Sequence, residues 1–298
     1  MKRSTLLTSV LALAFSAAAF LAVARQASPL LPSLPFDAAG RLEVGRNQLF
    51  PADFAIAVAA AARSTGTDPA FLFALVARSR SAAEMYGANA AHDANAPVGG
   101  PYAYGSVHWL KDLAKYGKEA GYPELTMAVT HSPPGVFAIA DPELHVQAMT
   151  ARTDPYLSSF LAAKAWQRAS KELGLRRVPS DGLVMVAFLG GVPYAERLAK
   201  RNDRDRSEPL ASAVQPDRDV LLIMTGLAAR DARTETEWTV GNFIDEITEL
   251  LRNDTSAYSA ARRIDVPDNY RPRRPEIENP QSQLPEPMDV TTALWSQM

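Results

Sequence analysis

The most informative absence from this sequence is cysteine, which occurs nowhere among the 298 residues. Its absence excludes thiol catalysis, disulfide bonds and every metal site built on a cysteine thiolate. The histidines, His92, His108, His131 and His145, lack the spacing of a metal site, so neither a metal nor another cofactor is expected. An excess of positive charge is absent too. The formal net charge is −2, and a mildly acidic chain argues against a nucleic-acid partner.

Runs of alternating apolar and polar residues are also lacking, so the sequence predicts no sheet. Helix signals are frequent instead. An alanine-rich segment follows Pro51, and three Asp-Pro pairs have an N-cap aspartate before a proline at the first helical position. The predicted helices cover residues 52–63, 70–80, 183–189, 217–227 and 236–251, with two more beginning at Pro142 and Pro155. The sequence therefore predicts an all-α fold.

The N-terminus has the composition of an export signal. Lys2 and Arg3 precede an apolar run from Leu6 to Ala24. The small residues that end this run fit a cleavage site before Arg25. If the run is not cleaved, its helix would span roughly 28 Å, close to the thickness of a bilayer core. We therefore expect export to the periplasm, with residues 1–24 acting as a signal peptide or as a tether to the inner membrane through residues 6–24.

Proline content divides the rest of the chain. Residues 25–46 contain three prolines and little periodicity, which is typical of a linker. Residues 259–298 are rich in proline and polar residues, which predicts a disordered tail. The globular domain is therefore expected over residues 47–258. Residues Met85–Gly105, rich in alanine, asparagine, glycine and proline, are expected to form a long loop that is functional or flexible.

Several short motifs follow one another in a set order along this domain. They are Asp68-Pro69, Val76-Ala77-Arg78, Gly100 with Trp109 nine residues later, Asp154-Pro155-Tyr156-Leu157-Ser158, Asp181-Gly182-Leu183 and Phe188-Leu189-Gly190-Gly191. Over residues 52–250 this order resembles an exported bacterial branch of the soluble lytic transglycosylase family, which shares the goose-type lysozyme fold. The resemblance implies a lysozyme-like helical domain that acts on peptidoglycan.

The family cleaves glycan strands with a single glutamic acid at the end of its second helix, and this carboxyl group must stay protonated near neutral pH. Here that position is Ser79 or, with one inserted residue, Arg80. Neither side chain can replace a tuned carboxylic acid. Ala103 stands where the family has glutamine, and Ala187 where it has histidine. The resemblance therefore implies a member with a degenerate catalytic motif.

Glu84 is the remaining candidate for a catalytic acid. It lies four residues after Arg80, on the same helical face and about 6 Å further along the axis. A solvated carboxylate at a helix end is the alternative interpretation. The resemblance also places four aromatic side chains along the sugar-binding groove: Tyr102, Tyr104, Trp109 and Phe188. For the tyrosines packing into the core is an equal alternative, and for Trp109 the core is favoured.

Three hypotheses follow. The first is an exported non-enzyme that binds peptidoglycan glycan strands or an envelope protein without cleaving the glycan. The second is an active lytic transglycosylase that uses the displaced Glu84. The third is a helical scaffold within an envelope assembly.

Overall fold

The computed structural model describes residues 37, 40–45, 48–85, 98–132, 135–175, 178–214, 227 and 238–272. Over these residues the chain is mostly helical with a few short strands, which confirms the all-α class. The predicted leader, most of the linker and the end of the tail lie outside the described residues. The predicted helix 217–227 also lies outside them, apart from Leu227.

The described helices, in chain order, are α1 (Ala52–Thr65), α2 (Pro69–Met85), α3 (Ser106–Tyr116), α4 (Pro123–Ala128), α5 (Pro142–Thr150), α6 (Pro155–Gly174), α7 (Asp181–Gly190), α8 (Val192–Arg204), α9 (Leu210–Val214) and α10 (Val240–Ala257). Single 3₁₀ turns cover Ala151–Thr153 and Ser259–Arg263. The strands form antiparallel hairpins: β1 (Arg41–Gly45) with β2 (Gln48–Pro51), β3 (Val98–Gly99) with β4 (Tyr104–Gly105), and β5 (Val129–Ser132) with β6 (Val136–Ile139).

Polar side chains cap four helices, and the caps of α5 and α6 lie where the sequence predicts, whereas α10 begins at Val240 instead of at residue 236. The Asp141 carboxylate accepts hydrogen bonds from the first free amides of α5, and Asp154 does the same for α6. Ser180 caps α7, and Thr239 forms a reciprocal capping box at the start of α10. The predicted helices 52–63 and 70–80 are also confirmed, as parts of α1 and α2.

The prediction that the fold has no sheet is wrong. Each hairpin is too short to show an extended alternation of apolar and polar residues. Strand β1 has only two inward residues, Leu42 and Val44, and β3 and β4 have two residues each. The structure also adds α3, α4, α8 and α9, which the sequence did not predict. In α8 the apolar face consists of Ala195, Leu198 and Ala199 amid a run of charged residues.

Helix α6 lies at the centre of the domain. It packs most extensively against α1 and also contacts α3, α7 and α8. The alanines of α1 allow a close approach, since Ala59, Ala60, Ala61 and Ala62 are all buried. Helix α10 covers the other side of the domain by packing against α2 and α7. The ends of α2, α6 and α7 are thereby held in one rigid arrangement.

The structured domain extends past both boundaries expected from the sequence. Strand β1 lies within the predicted linker, and its Val44 side chain is fully buried. After α10, residues 259–272 form a C-terminal segment that packs on the domain instead of starting a free tail. Its Ile264 and Val266 are buried, and Arg262 forms an ion pair with Asp68 at the start of α2. Isolated apolar residues among prolines and charges give no periodic signal, which is why composition alone missed this segment.

Candidate functional site

Five aromatic side chains from five different elements form a continuous series of ring contacts, which we call the aromatic row. Phe71 of α2 meets Trp166 of α6 with ring centroids 4.6 Å apart. Trp166 lies 6.4 Å from Phe188 at the end of α7. Phe188 in turn meets Tyr104 of β4 at 5.9 Å, and Tyr104 meets Trp109 of α3 at 5.5 Å.

The row has a buried end and an accessible end. Trp109 has no exposed surface, and its indole N–H donates a hydrogen bond to the carbonyl oxygen of Ala148 at 2.7 Å. Tyr104 is also buried, whereas Phe71, Trp166 and Phe188 are half-buried. Part of each of these three side chains therefore reaches the surface, while the rest packs against the core. Among the four aromatic residues predicted for a sugar groove, Phe188 is the one in this half-exposed position.

Tyr102 and Trp109 belong to the core rather than to the accessible end of the row. The Tyr102 hydroxyl donates to Ser159 Oγ at 2.9 Å inside the domain. Burial raises the pKa of Tyr102, so its hydroxyl stays protonated at any ordinary pH. The two side chains thereby fix the β3–β4 turn, which includes Tyr102, and α3 against the core.

The β3–β4 turn, residues 100–103, is held against a buried arginine. Gly100 has a φ of +72°, and a Cβ at this position would lie 2.7 Å from the carbonyl carbon of Arg152. The Arg152 guanidinium donates to the carbonyl oxygens of Met149 (2.9 Å) and Tyr104 (3.3 Å). Ala103 closes the turn with a φ of +48°, in the left-handed region that non-glycine residues rarely adopt. These contacts fix the backbone that carries Tyr104.

A buried polar cluster lies beside the inner end of the row. Asp112 and Arg168 form an ion pair between α3 and α6. Burial raises the pKa of Asp112 although Arg168 opposes this shift, and burial lowers the pKa of the neighbouring His108. Burial, reinforced by the Asp112 charge, raises the pKa of Tyr104. The Tyr104 hydroxyl has no hydrogen-bond partner among the described residues.

Three of the positions that the resemblance matches to polar site residues of the family are buried: Ser79, Ala103 and Ala187. Ser79 is only 2% exposed. The preceding Arg78 forms an ion pair with the fully buried Asp254 of α10, which fixes this part of α2. The side chains of Arg80 and Glu84 lie outside the described residues. A glutamate at position 79 would therefore be a core residue.

The sequence did not single out Phe71, Trp166 or Arg168 as site residues. Phe71 lies on the apolar face of α2 and is half-buried against the core. Trp166 and Arg168 lie on one helix two residues apart, in a run with no motif. Their partners are contributed by other elements, and Asp112 is 56 positions away from Arg168. Only the packing of α3, α6 and α7 brings these groups together.

The described residues show no group of three histidine, aspartate or glutamate side chains able to hold a metal ion. Within the same part of the chain, no helix has the length and apolar character needed to cross a membrane. No family model matches the chain, and no curated protein or solved structure matches it either. The aromatic row and the residues around it are therefore the features of this chain from which a function can be inferred.

Proposed function

We propose that this protein binds glycan strands of peptidoglycan in the periplasm without cleaving them. The observation that carries the proposal is the accessible end of the aromatic row, where Phe71, Trp166 and Phe188 are half-buried and contact one another in series. Flat aromatic faces suit the C–H faces of sugar rings, and consecutive rings suit a polymer of sugars. Pairs of aromatic side chains contribute about 0.5–1.5 kcal/mol beyond their buried area, and we expect a ring packed on a sugar face to contribute on the same order.

The same proposal assigns the domain a lysozyme-like fold and a place among degenerate members of the lytic transglycosylase family. The order of elements supports it, because the Asp-Pro helix α2, the turn at Gly100, the Asp-Pro helix α6 and the Phe188-Leu189-Gly190 segment of α7 occur in the order that the resemblance implies. The buried Ser79 supports the absence of cleavage. No carboxylic acid is available at the position from which the family protonates the glycosidic oxygen.

Binding is tested by sedimenting the purified protein with intact sacculi. Phe188→Leu is expected to weaken binding about fivefold, which corresponds to about 1 kcal/mol for one aromatic contact. Phe137→Leu is the matched control, because Phe137 is also half-buried but lies on β6 and stacks with His131 outside the row. Equal binding by the two variants would contradict a role for the row.

Cleavage is tested in the same mixture by mass spectrometry of the soluble products. We expect no 1,6-anhydro-muropeptides. Products that disappear in a Glu84→Gln variant would overturn the proposal and would identify Glu84 as the acid. Absence of both products and sedimentation would favour the scaffold hypothesis, in which an envelope protein is the partner.

A further inference from the structure

A cavity of about 350 Å³, which we call the terminal cavity, lies where the first turns of α1 and α6 meet the C-terminal segment. Its base consists of three buried residues, Ala57 of α1 and Asp154 and Tyr156 at the start of α6. Its accessible lining consists of Asp53 and Ile56 of α1, Pro155 of α6, and Pro267, Tyr270 and Arg271 of the C-terminal segment. The volume is at the lower end of the range for ligand sites, about 300–1,000 Å³, which suits a ligand the size of a dipeptide.

The terminal cavity is separate from the aromatic row. Tyr156 and Trp166 both belong to α6 but are ten residues apart, which is about 15 Å along the helix axis. The proposed glycan contact therefore does not use this cavity, and a ligand of the cavity requires its own explanation.

The wall that the C-terminal segment contributes is held on the domain by hydrogen bonds. The Arg63 guanidinium donates to the carbonyl oxygen of Val266 at 3.0 Å. The Tyr270 amide donates to the carbonyl oxygen of Pro267 at 2.9 Å, which closes a turn directly before Arg271. The turn therefore presents Tyr270 and Arg271 beside the starts of α1 and α6.

Two charged side chains of opposite sign belong to the accessible lining. Asp53 and Arg271 are both exposed, and neither forms an ion pair with another residue that the structure describes. The Asp53 carboxylate accepts a hydrogen bond from the Phe54 amide at 2.9 Å, and the Arg271 guanidinium donates to the Tyr270 carbonyl oxygen at 3.4 Å. Both charges are therefore available to a ligand in the cavity.

The second carboxylate of the lining, Asp154, already has its partners. Its Oδ1 accepts a hydrogen bond from the Leu157 amide at 2.8 Å, and its Oδ2 accepts one from the Tyr122 hydroxyl at 2.7 Å. Asp154 therefore serves as the cap of α6, and the charges that a ligand meets are those of Asp53 and Arg271.

Charges of both signs beside an apolar surface suit a zwitterion with apolar side chains. An ammonium group pairs with a carboxylate such as Asp53, and the planar fork of a guanidinium matches a carboxylate ligand. The half-buried Ile56, Pro155 and Tyr270 give apolar side chains a surface to pack on. A lone anion such as phosphate would meet a carboxylate as well as the guanidinium, and a lone amine would leave the guanidinium without a partner.

We propose that the terminal cavity binds a short apolar peptide by its two ends, with the ammonium group at Asp53 and the carboxylate at Arg271. The apolar side chains of the peptide pack on Ile56, Pro155 and Tyr270. This assignment stands independently of glycan binding at the aromatic row.

The test compares L-leucyl-L-leucine with two analogues that each lack one terminal charge. The isotope-labelled full chain is titrated with each compound, and the amide chemical shifts of α1 and of the C-terminal segment give the dissociation constants. N-acetyl-leucyl-leucine has no ammonium group, and leucyl-leucinamide has no carboxylate. Each should bind about threefold more weakly than the dipeptide, the size of one partly exposed ion pair. Equal binding of the three compounds, or no shift around the cavity, would overturn the proposal.

Two variants assign each end of the peptide to its partner. Asp53→Asn is expected to weaken binding of the dipeptide and of leucyl-leucinamide about threefold while leaving N-acetyl-leucyl-leucine unchanged. Arg271→Gln is expected to weaken binding of the dipeptide and of N-acetyl-leucyl-leucine by the same factor while leaving leucyl-leucinamide unchanged. The proposal is wrong if either variant affects all three compounds equally or affects none of them.

Matched controls separate a specific contact from a general effect of charge. Asp265→Asn and Arg252→Gln make the same charge changes at exposed positions outside the cavity, so both should bind the dipeptide as the unmodified chain does. A threefold loss in either control would contradict the assignment. N-acetylglucosamine tests the cavity as a sugar site, and tighter binding of this sugar than of the dipeptide at the same amides would also contradict it.

Discussion

Replacing Gly100 by alanine tests how closely the β3–β4 turn approaches Arg152. An added Cβ would lie 2.7 Å from the Arg152 carbonyl carbon and closer still to its oxygen. Because this obstacle is backbone rather than a flexible side chain, either the turn or the 3₁₀ turn at Ala151–Thr153 must move. Gly66→Ala is the matched control. Gly66 has a φ of +68°, close to the +72° of Gly100, but an added Cβ there meets nothing within 4 Å.

Both substitutions place an alanine at a left-handed backbone position, but only Gly100→Ala also creates a steric clash. A left-handed backbone costs alanine about 1–2 kcal/mol, partly offset by about 0.4–1 kcal/mol from the reduced entropy of the unfolded chain. Gly66→Ala should therefore lower the free energy of unfolding by about 1 kcal/mol. Gly100→Ala adds the cost of overpacking, about 1–3 kcal/mol, for a total of about 3 kcal/mol.

Urea unfolding followed by tryptophan fluorescence measures both values, and unchanged m-values would show that the same cooperative transition is being compared. We also expect Gly100→Ala to weaken sedimentation with sacculi, since the turn supports Tyr104 and through it Phe188. Gly66→Ala should leave sedimentation unchanged. Equal destabilisation by the two alanines would refute the close contact between the turn and Arg152.

Three further predictions concern groups around the row. Arg78→Met should lower the free energy of unfolding by about 1–3 kcal/mol, because it removes a charged hydrogen-bond donor from the fully buried Asp254 carboxylate; an unchanged free energy of unfolding in urea would contradict this. Burial lowers the pKa of His108 in the folded chain, so the unfolded chain binds its proton first as the pH falls below about 6.5. Stability should therefore decrease from about pH 6.5 down to the lowered pKa, and His108→Gln should flatten that part of the pH curve; a curve identical to that of the unmodified chain would contradict this. Ala103→Gly should change the free energy of unfolding by less than about 1 kcal/mol, because relief of the positive φ is offset by loss of a buried methyl group.

The helix starts were predictable because their signals are local. The Asp141, Asp154 and Ser180 side chains cap helices whose first residues follow immediately, so a few adjacent letters contain the whole interaction. The same locality explains the success with α1, where a run of alanines has a single preferred conformation. The short hairpins were not predictable in this way, because each strand is stabilised by pairing with its partner strand more than by a local sequence signal.

The site was less predictable because its contacts join distant parts of the chain. The motif order pointed to Phe188 and Tyr104, but it gave no reason to connect either with Trp166. The Asp112–Arg168 pair likewise depends on how α3 crosses α6. The structured segment after residue 258 was missed for a related reason: Ile264 and Val266 are too few to form a pattern, yet both are buried.

The two ends of the described domain lie next to each other. The helices could therefore keep the same packing if the chain began at a different point. A Cβ at Gly45 would lie 3.0 Å from Tyr258 Cα, and the Tyr258 hydroxyl donates to Gln48 Oε1 at 2.7 Å. A short covalent connection could therefore join the two ends of the described domain, with new chain ends opened between β5 and β6, where Ser132 and Val136 are exposed. Such a circular permutant would keep both the aromatic row and the packing of α6.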